Sequence, residues 1–337
     1  MNRRTLAAAL CLASFPAMAA IDGTVTNKTT GKPAAGATVT LYKLGQAGME
    51  SIQSVKSAAD GTFHMDQTPQ GPSLIQTAFD GVTYNHILPP GSATTGLALD
   101  VYNSSKQPGG ARVARHFLIF QPSGDKLNVN EGYIFNNGGA TTYNDPDGGT
   151  LKFYLPTAAK GIVQVKATAP QGMPIDRAAD KTNRKDIYKV DFPIKPGETQ
   201  FQINYVIPYA SGAEYEGKVL AKTDEPTLLV APQGLTLQGE GLELKGQEPQ
   251  SKASVFSVKG DDYKVQIAGS MPVAGADSDA GDNGPSLEEV SPRVLRQNMK
   301  LILALAFGIL ALGFIVLYRA QPSPAAAAKG KNERGRR

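Results

Sequence analysis

The chain has 337 residues and a formal net charge of +4, but its basic residues are concentrated at the two ends. Residues 21–292 contain 23 lysines and arginines against 29 aspartates and glutamates, which gives this region a net charge of −6. An acidic region argues against nucleic acid as a partner, because binding to phosphates needs a basic surface. The single cysteine, Cys11, leaves the rest of the chain without disulfides or cysteine metal sites.

The first twenty residues have the pattern of a secretory signal peptide. Arg3 and Arg4 precede an apolar stretch at residues 6–15, and the small residues Ala17 and Ala19 mark a cleavage site. We expect residues 1–20 to be removed on export. The alternative is an uncleaved N-terminal anchor, for which the apolar stretch is short.

Short strands are expected throughout the next region, residues 21–106. Apolar residues alternate with polar ones over brief stretches, and glycine, proline, aspartate and asparagine separate these stretches. Residues 28–33 are predicted to form a turn. The predicted strands cover residues 21–26, 37–42, 51–57, 62–65, 74–79 and 97–102. No stretch has helical periodicity, so we expect a β-sandwich of about 80 residues.

The same region resembles a known family. The segments that carry the resemblance are residues 23–26 (GTVT), 30–33 (TGKP), 36–41 (GATVTL) and 59–63 (ADGTF). In this order they resemble the carboxypeptidase regulatory-like domain, a transthyretin-like β-sandwich, over residues 21–103. We expect tight turns at Gly31 and Gly36, and a hairpin closed by Asp60 and Gly61. In carboxypeptidases this domain accompanies a separate zinc peptidase domain, so the resemblance implies an accessory role and not an activity.

The sequence contains no pattern that predicts catalysis. Its three histidines, His64, His86 and His116, lack a second histidine or a carboxylate at the spacing of a zinc motif. It also lacks a Gly-x-Ser-x-Gly elbow, a phosphate loop and a dinucleotide fingerprint. We therefore expect no catalytic residue, no metal site, no cofactor and no enzymatic activity.

A second β-rich region is expected at residues 112–270, after a boundary of proline and glycine at residues 107–111. Alternation is clearest at residues 201–207, where every second residue is apolar, and residues 193–198 predict a turn before it. The predicted strands cover residues 114–120, 127–135, 150–155, 161–167, 188–193, 199–208, 227–231 and 254–259. An Ig-like or jelly-roll sandwich fits this pattern. Residues 226–263 form either the last part of this sandwich or a third, small β unit.

One loop of the second region, residues 136–149, is a candidate ligand site. It offers Tyr143 beside Asn144, Asp145 and Asp147. A tyrosine ring with neighbouring hydrogen-bonding groups suits a sugar, and the carboxylates suit Ca²⁺. The alternative is that this loop only connects strands, as turn-rich loops commonly do.

A second loop, residues 169–189, is a candidate docking surface for a partner. Met173 is followed by the cations Arg177, Lys181 and Arg184, which are interleaved with aspartates. Mixed charges more commonly form a solvated surface, because exposed ion pairs contribute little. Both interpretations remain open from the sequence.

The C-terminal region is expected to anchor the chain in a membrane. Residues 301–318 form an uncharged apolar stretch, which as a helix would be roughly 27 Å long, close to the thickness of a bilayer core. We expect a flexible stalk at residues 271–299, a transmembrane helix at residues 300–319 and a basic tail at residues 320–337. The excess of basic residues after the helix places the C-terminus in the cytoplasm and the rest in the periplasm or outside the cell.

The sequence thus predicts an all-β chain of two tandem β-sandwiches, transthyretin-like and Ig-like, followed by a stalk and one transmembrane helix. The predicted function is non-catalytic binding or scaffolding outside the cytoplasm, with the membrane and an envelope protein or a glycan as partners. Two alternatives remain open: a carbohydrate-binding protein, and an accessory protein to a peptidase acting in trans. The absence of tryptophan weakens the carbohydrate alternative, whereas twelve tyrosines keep it open.

Overall fold

Strands connected by turns and loops make up the chain wherever the structure describes it. The computed structural model describes residues 21–45, 48–68, 71–159 and 163–270, and these residues contain no helix. The prediction of an all-β chain is therefore confirmed for them. No helix long and apolar enough to cross a membrane occurs in these ranges. The predicted signal peptide, stalk, transmembrane segment and tail lie outside the described residues.

Eight strands form what we call the first β-unit, residues 21–103. They are β1 (Ile21–Asn27), β2 (Lys32–Pro33), β3 (Thr38–Gly45), β4 (Gly48–Lys56), β5 (Thr62–Met65), β6 (Ser73–Phe79), β7 (Val82–Leu88) and β8 (Leu97–Val101). All six predicted strands are present, with small differences at their ends. Strand β7 was not predicted, although a turn at Asp80 and Gly81 precedes it in the sequence.

The first β-unit consists of two sheets that share one core. One sheet has the strand order β4-β3-β6-β7 and is antiparallel. In the other, β1 pairs with β2 and β5 in antiparallel and with β8 in parallel orientation. The side chains that alternate inward from both sheets are buried together, among them Val25 and Leu99 from one sheet and Leu41 and Ile75 from the other.

The prediction that Asp60 and Gly61 close a hairpin is wrong. Strand β4 before the turn and strand β5 after it belong to different sheets, so this turn carries the chain from one sheet to the other. The Val25 N–H donates to the Gly61 carbonyl at 2.8 Å, which holds the turn against β1. Gly61 has φ +81°, and a Cβ there would lie 2.6 Å from the Val25 carbonyl oxygen. Only glycine fits this approach.

Sixteen further strands form the second β-unit, residues 104–270. They are β9 (Ser104–Ser105), β10 (Ala111–Ser123), β11 (Lys126–Asn137), β12 (Thr142–Tyr143), β13 (Leu151–Tyr154), β14 (Gln164–Thr168), β15 (Ile175–Arg177), β16 (Asp180–Lys181), β17 (Ile187–Val190), β18 (Gly197–Pro208), β19 (Ala213–Lys218), β20 (Leu228–Ala231), β21 (Leu235–Gln238), β22 (Leu242–Gln247), β23 (Ser254–Val258) and β24 (Asp262–Gly269).

Three long antiparallel strands, β10, β11 and β18, are the centre of the second β-unit. They lie in an eight-stranded sheet with the order β15-β14-β18-β11-β10-β20-β23-β22. Two three-stranded sheets, β13-β17-β16 and β19-β24-β21, contribute to the same hydrophobic core, for example through Phe153 and Val265. The predicted alternation in β18 is confirmed, since Phe201, Ile203 and Tyr205 are buried and the residues between them are not.

The segment 226–263, left open by the sequence, belongs to the second β-unit. Strand β20 pairs in parallel with β10, where Phe117–Ile119 face Leu228–Val230, and β23 pairs with β20. The buried side chains of Leu235 and Val258 lie in the same core cluster as the long strands. The segment therefore completes the large sheet and does not form a core of its own.

A buried ionisable pair lies within the core of the second β-unit. His116 Nε2 is 2.7 Å from Glu131 Oε1, and His116 Nδ1 is 3.0 Å from the Thr227 hydroxyl. The Tyr133 hydroxyl donates to the same Glu131 oxygen at 2.6 Å, and its ring stacks on the imidazole with a centroid distance of 4.1 Å. Burial raises the pKa of Tyr133 well above its usual range, so this hydroxyl stays protonated and donates.

The two β-units have separate hydrophobic cores and are joined by polar contacts. The Tyr84 hydroxyl, from the first β-unit, donates to the Tyr102 carbonyl at 3.0 Å and lies 2.8 Å from the Thr142 hydroxyl of the second. The Thr29 hydroxyl donates to the Ala140 carbonyl. All the described residues belong to one compact unit.

We expect His116→Leu to lower the free energy of unfolding by about 3–5 kcal/mol, because it leaves Glu131 buried without its imidazole partner. Denaturant unfolding followed by circular dichroism measures this. The double variant His116→Leu/Glu131→Leu should be more stable than His116→Leu alone, since no uncompensated carboxylate remains.

The matched control is His64→Leu, because His64 and Asp66 form a second histidine–carboxylate pair, 3.3 Å apart, whose side chains are 61% and 76% exposed. We expect His64→Leu to change the free energy of unfolding by less than about 0.5 kcal/mol. Equal effects of the two single substitutions would contradict the assignment of a stabilising buried pair.

Candidate functional site

Strand β7 lies at the end of its sheet, and its position results from a tight turn. Asp80 and Gly81 form a two-residue connection with φ of 47° and 72°, the two positive values that a type I′ turn requires. The turn pairs β7 antiparallel to β6, from Phe79↔Val82 to Ser73↔Leu88. The other edge of β7 has no neighbouring strand within the described residues. It lies beside residues of the second β-unit, among them Lys195.

Two clefts flank this edge of β7, one on each face of the sheet. The outer cleft, about 420 Å³, is lined on the β7 side by the outward-facing Thr83 and Asn85. The inner cleft, about 300 Å³, is lined by Tyr84 and His86 and by part of β8. Ala169 and Gly172 of the second β-unit line both clefts.

Lys195 lies between the two clefts and lines both. Its position follows from its neighbour Ile194, whose N–H and carbonyl both pair with the backbone of Tyr143. The Lys195 ammonium donates to the carbonyl of Thr83 and lies 5.1 Å from the centroid of the Tyr84 ring. Burial lowers the pKa of Lys195 to about 8.

The four predicted ligand residues of the loop 136–149 are distributed over different surroundings. Asn144 lines the outer cleft. Tyr143 is half-buried against the core of the second β-unit and lines a separate cleft of about 290 Å³, which we call the Tyr143 cleft. Asp145 accepts the Gly148 N–H at 2.9 Å. Asp147 forms an exposed ion pair with Lys106 at 2.6 Å, which lowers the pKa of this carboxyl.

Two of the four predicted docking residues of the loop 169–189 line the outer cleft. They are Met173, which is 68% exposed, and Arg177, whose guanidinium lies 5.1 Å from the centroid of the Phe192 ring. Lys181, in β16, and Arg184, in the turn before β17, are exposed and do not line it. The outer cleft thus brings part of each predicted loop against β7.

Sequence reasoning missed β7 and Lys195 as parts of this site. The signal for β7 was present, because Asp80 and Gly81 predict a hairpin turn and a β-branched, aromatic stretch follows. Lys195 follows Ile194 and precedes a proline in a predicted turn, where a lysine is expected to be solvated. Its partial burial depends on contact with the first β-unit and has no local signature.

No group of three or more His, Cys, Asp or Glu side chains that would hold a metal ion occurs in the part of the chain that the structure describes. A comparison with models of known protein families and with curated proteins gives no match for this chain.

The depressed pKa of Lys195 predicts an unusually reactive amine. At pH 7 about a tenth of a lysine with a pKa near 8 is neutral, against roughly 0.03% of a lysine with the ordinary pKa. Competitive acetylation at pH 6–10 with mass spectrometry should give a Lys195 profile with its midpoint near pH 8. Exposed lysines such as Lys126 serve as internal controls. A Lys195 midpoint near pH 10.5 would contradict the burial of its ammonium.

Proposed function

We propose that this chain is a non-catalytic binding or scaffolding protein of the cell envelope, anchored by its C-terminal apolar stretch and exposed outside the cytoplasm. The observation that carries the proposal is the outer cleft, where Asn144 of one loop and Met173 and Arg177 of the other meet β7. Exposed apolar and cationic side chains in a concave site favour ligand binding. The signal-like N-terminus and the apolar stretch at residues 301–318 support the location.

The proposal includes a finer classification of the fold. We assign the first β-unit to the transthyretin-like sandwiches of the carboxypeptidase regulatory-like type, and the second to the Ig-like sandwiches. Support for the first comes from the order of its turn segments and from its two four-stranded sheets around one core. Gly31 and Gly36 have φ of 68° and 73°, as the proposed turns require.

The test is capture of a partner from solubilised envelopes by the purified full chain. We expect Met173→Asp to reduce capture at least tenfold, because it places a carboxylate in the outer cleft. Met49→Asp is the matched control, since Met49 is also an exposed methionine, 58% against 68% for Met173, but lies on β4 at the opposite end of the sheet. Equal capture by both variants would show that the outer cleft is not the binding site.

Carbohydrate binding is the second candidate function, and the Tyr143 cleft is the candidate site for it. Tyr143 lines this cleft together with the cations Arg112, Lys152 and Lys222, a combination that suits an anionic sugar. A glycan array with the full chain, repeated with Tyr143→Ala, tests this candidate. A glycan signal that Tyr143→Ala abolishes, together with failed capture of any protein, would replace the first candidate by the second.

A further inference from the structure

We propose that the free edge of β7 binds an extended peptide segment of another protein as an added β-strand, with an acidic side chain of that segment in the outer cleft. This inference rests on the proposed function, because it assigns a partner and a mode of binding to the same site. Three features of the described residues support it: the direction of the backbone groups of β7, the composition of its edge, and the arrangement of the two clefts.

The backbone groups of every second residue of β7 point away from β6. In a two-residue hairpin the pair next to the turn, here Phe79 and Val82, is hydrogen-bonded, and the pairing then alternates along the strands. The N–H and C=O groups of Thr83, Asn85 and Ile87 therefore point to the free edge. Lys195 confirms this direction, because it reaches the Thr83 carbonyl from that side.

The open part of the edge begins after Thr83. No hydrogen bond from the second β-unit to the backbone of Asn85 or Ile87 is found in the described ranges. Both residues are exposed, Ile87 to 46%. Two N–H and two C=O groups are thus available to a strand that enters beside β7.

The edge of β7 lacks the features that usually prevent strand pairing. Proteins protect edge strands with charged residues, prolines or bulges. Strand β4, at the other end of the same sheet, contains Glu50 and Lys56, and its pairing with β3 is irregular between Leu41 and Tyr42. Strand β7, VTYNHIL, has no Lys, Arg, Asp, Glu or Pro, and its register with β6 is regular. Within the described residues, the second β-unit reaches this edge through the contact of Lys195 with the Thr83 carbonyl and through the walls of the two clefts.

The clefts lie where the side chains of an added strand would point. Successive side chains of a strand point to opposite faces of the sheet, so alternate residues of a segment paired with β7 would enter the outer and the inner cleft. Recognition by strand addition obtains affinity from backbone hydrogen bonds and specificity from pockets of this kind. Asn85 and Lys195 line both clefts, which places the edge between them.

A single extended segment fits this place better than a second folded sheet. Ala169 and Gly172 line both clefts together with residues of β7, so an occupant would lie between them and the strand. A second copy of the chain would have to bring an entire sheet into that space. The charge of the outer cleft favours an acidic segment, because Arg177 and Lys195 line it with one carboxylate, Asp191, and neither cation forms a salt bridge within the described residues.

The experiment uses a displayed library of random heptapeptides, selected on the purified full chain in detergent. We expect enriched peptides to carry an acidic residue and alternating β-branched or aromatic residues. Synthetic copies are then measured by fluorescence anisotropy against two variants of one residue. Asn85→Pro removes the edge-facing N–H, which an edge strand tolerates, whereas Asn85→Thr keeps it. Both variants lose the amide side chain, so they differ in the backbone N–H, which proline replaces by its ring, and in the threonine side chain.

We expect Asn85→Pro to weaken binding about tenfold or more and Asn85→Thr to change it less than threefold, since one backbone hydrogen bond is lost and a peptide carbonyl stays unpaired. Bound peptide should slow amide hydrogen exchange at Asn85 and Ile87. If Asn85→Pro does not fold, peptides N-methylated at alternate amides provide the same test, because methylation removes donors from the peptide instead.

The outcomes separate this inference from the function on which it rests. Equal affinity for both Asn85 variants, combined with loss of binding in Met173→Asp, would overturn strand addition and keep the outer cleft as the binding site. Equal affinity of the peptides for all three variants would overturn both strand addition and the outer cleft as the binding site. If no heptapeptide is enriched, strand addition is wrong, and the capture of a partner from envelopes tests the proposed function separately.

Discussion

The hydroxyl group of Tyr84 sets the position of β7 against the second β-unit, and the candidate site depends on that position. The ring of Tyr84 is buried in the core of the first β-unit, while its oxygen contacts the Tyr102 carbonyl and the Thr142 hydroxyl. One side chain thus belongs to the core of one unit and to the polar contact with the other. Lys195, which lines both clefts, lies over the same ring. The position of Tyr84 therefore affects both clefts.

Most strands can be predicted from the local alternation of apolar and polar residues. The sheet to which each strand belongs cannot be predicted in this way. Strand β18 can be predicted because every second residue from Thr199 to Ile207 is buried. Strand β24 has the same alternation at Tyr263, Val265 and Ile267, although the sequence analysis does not predict it. Strand β22 is mostly exposed and has no such pattern. The error at Asp60 and Gly61 is of a different kind. A turn sequence determines the local bend, but the partner of the next strand is chosen by packing far along the chain.

The candidate site could be predicted only in part, for a similar reason. Their composition identifies the loops 136–149 and 169–189 as candidates. That both reach one cleft depends on contacts distant in sequence, the pairing of Tyr143 with Ile194 and the contact of Arg177 with the ring of Phe192. The burial of Glu131 could have been predicted from the alternation in β11. Glu131 lies two residues from Val129 and two from Tyr133, on the face of the strand that points into the core. Its partner, His116, required the register between β10 and β11, which places His116 opposite Tyr133.

The parallel pairings of the fold have a consequence for the order in which the chain folds. Asp22, in β1, bonds the backbone of Gly96, 74 residues later, just before the strand β8 that lies beside β1. In the second β-unit, the imidazole of His116, in β10, contacts the hydroxyl of Thr227, 111 residues later and just before β20. Neither sheet is complete until the later strand has arrived, and contacts so distant in sequence make folding slow. During synthesis, which proceeds from the N-terminus, each unit therefore passes through a stage in which its first strands are complete and their later partners have not yet been made.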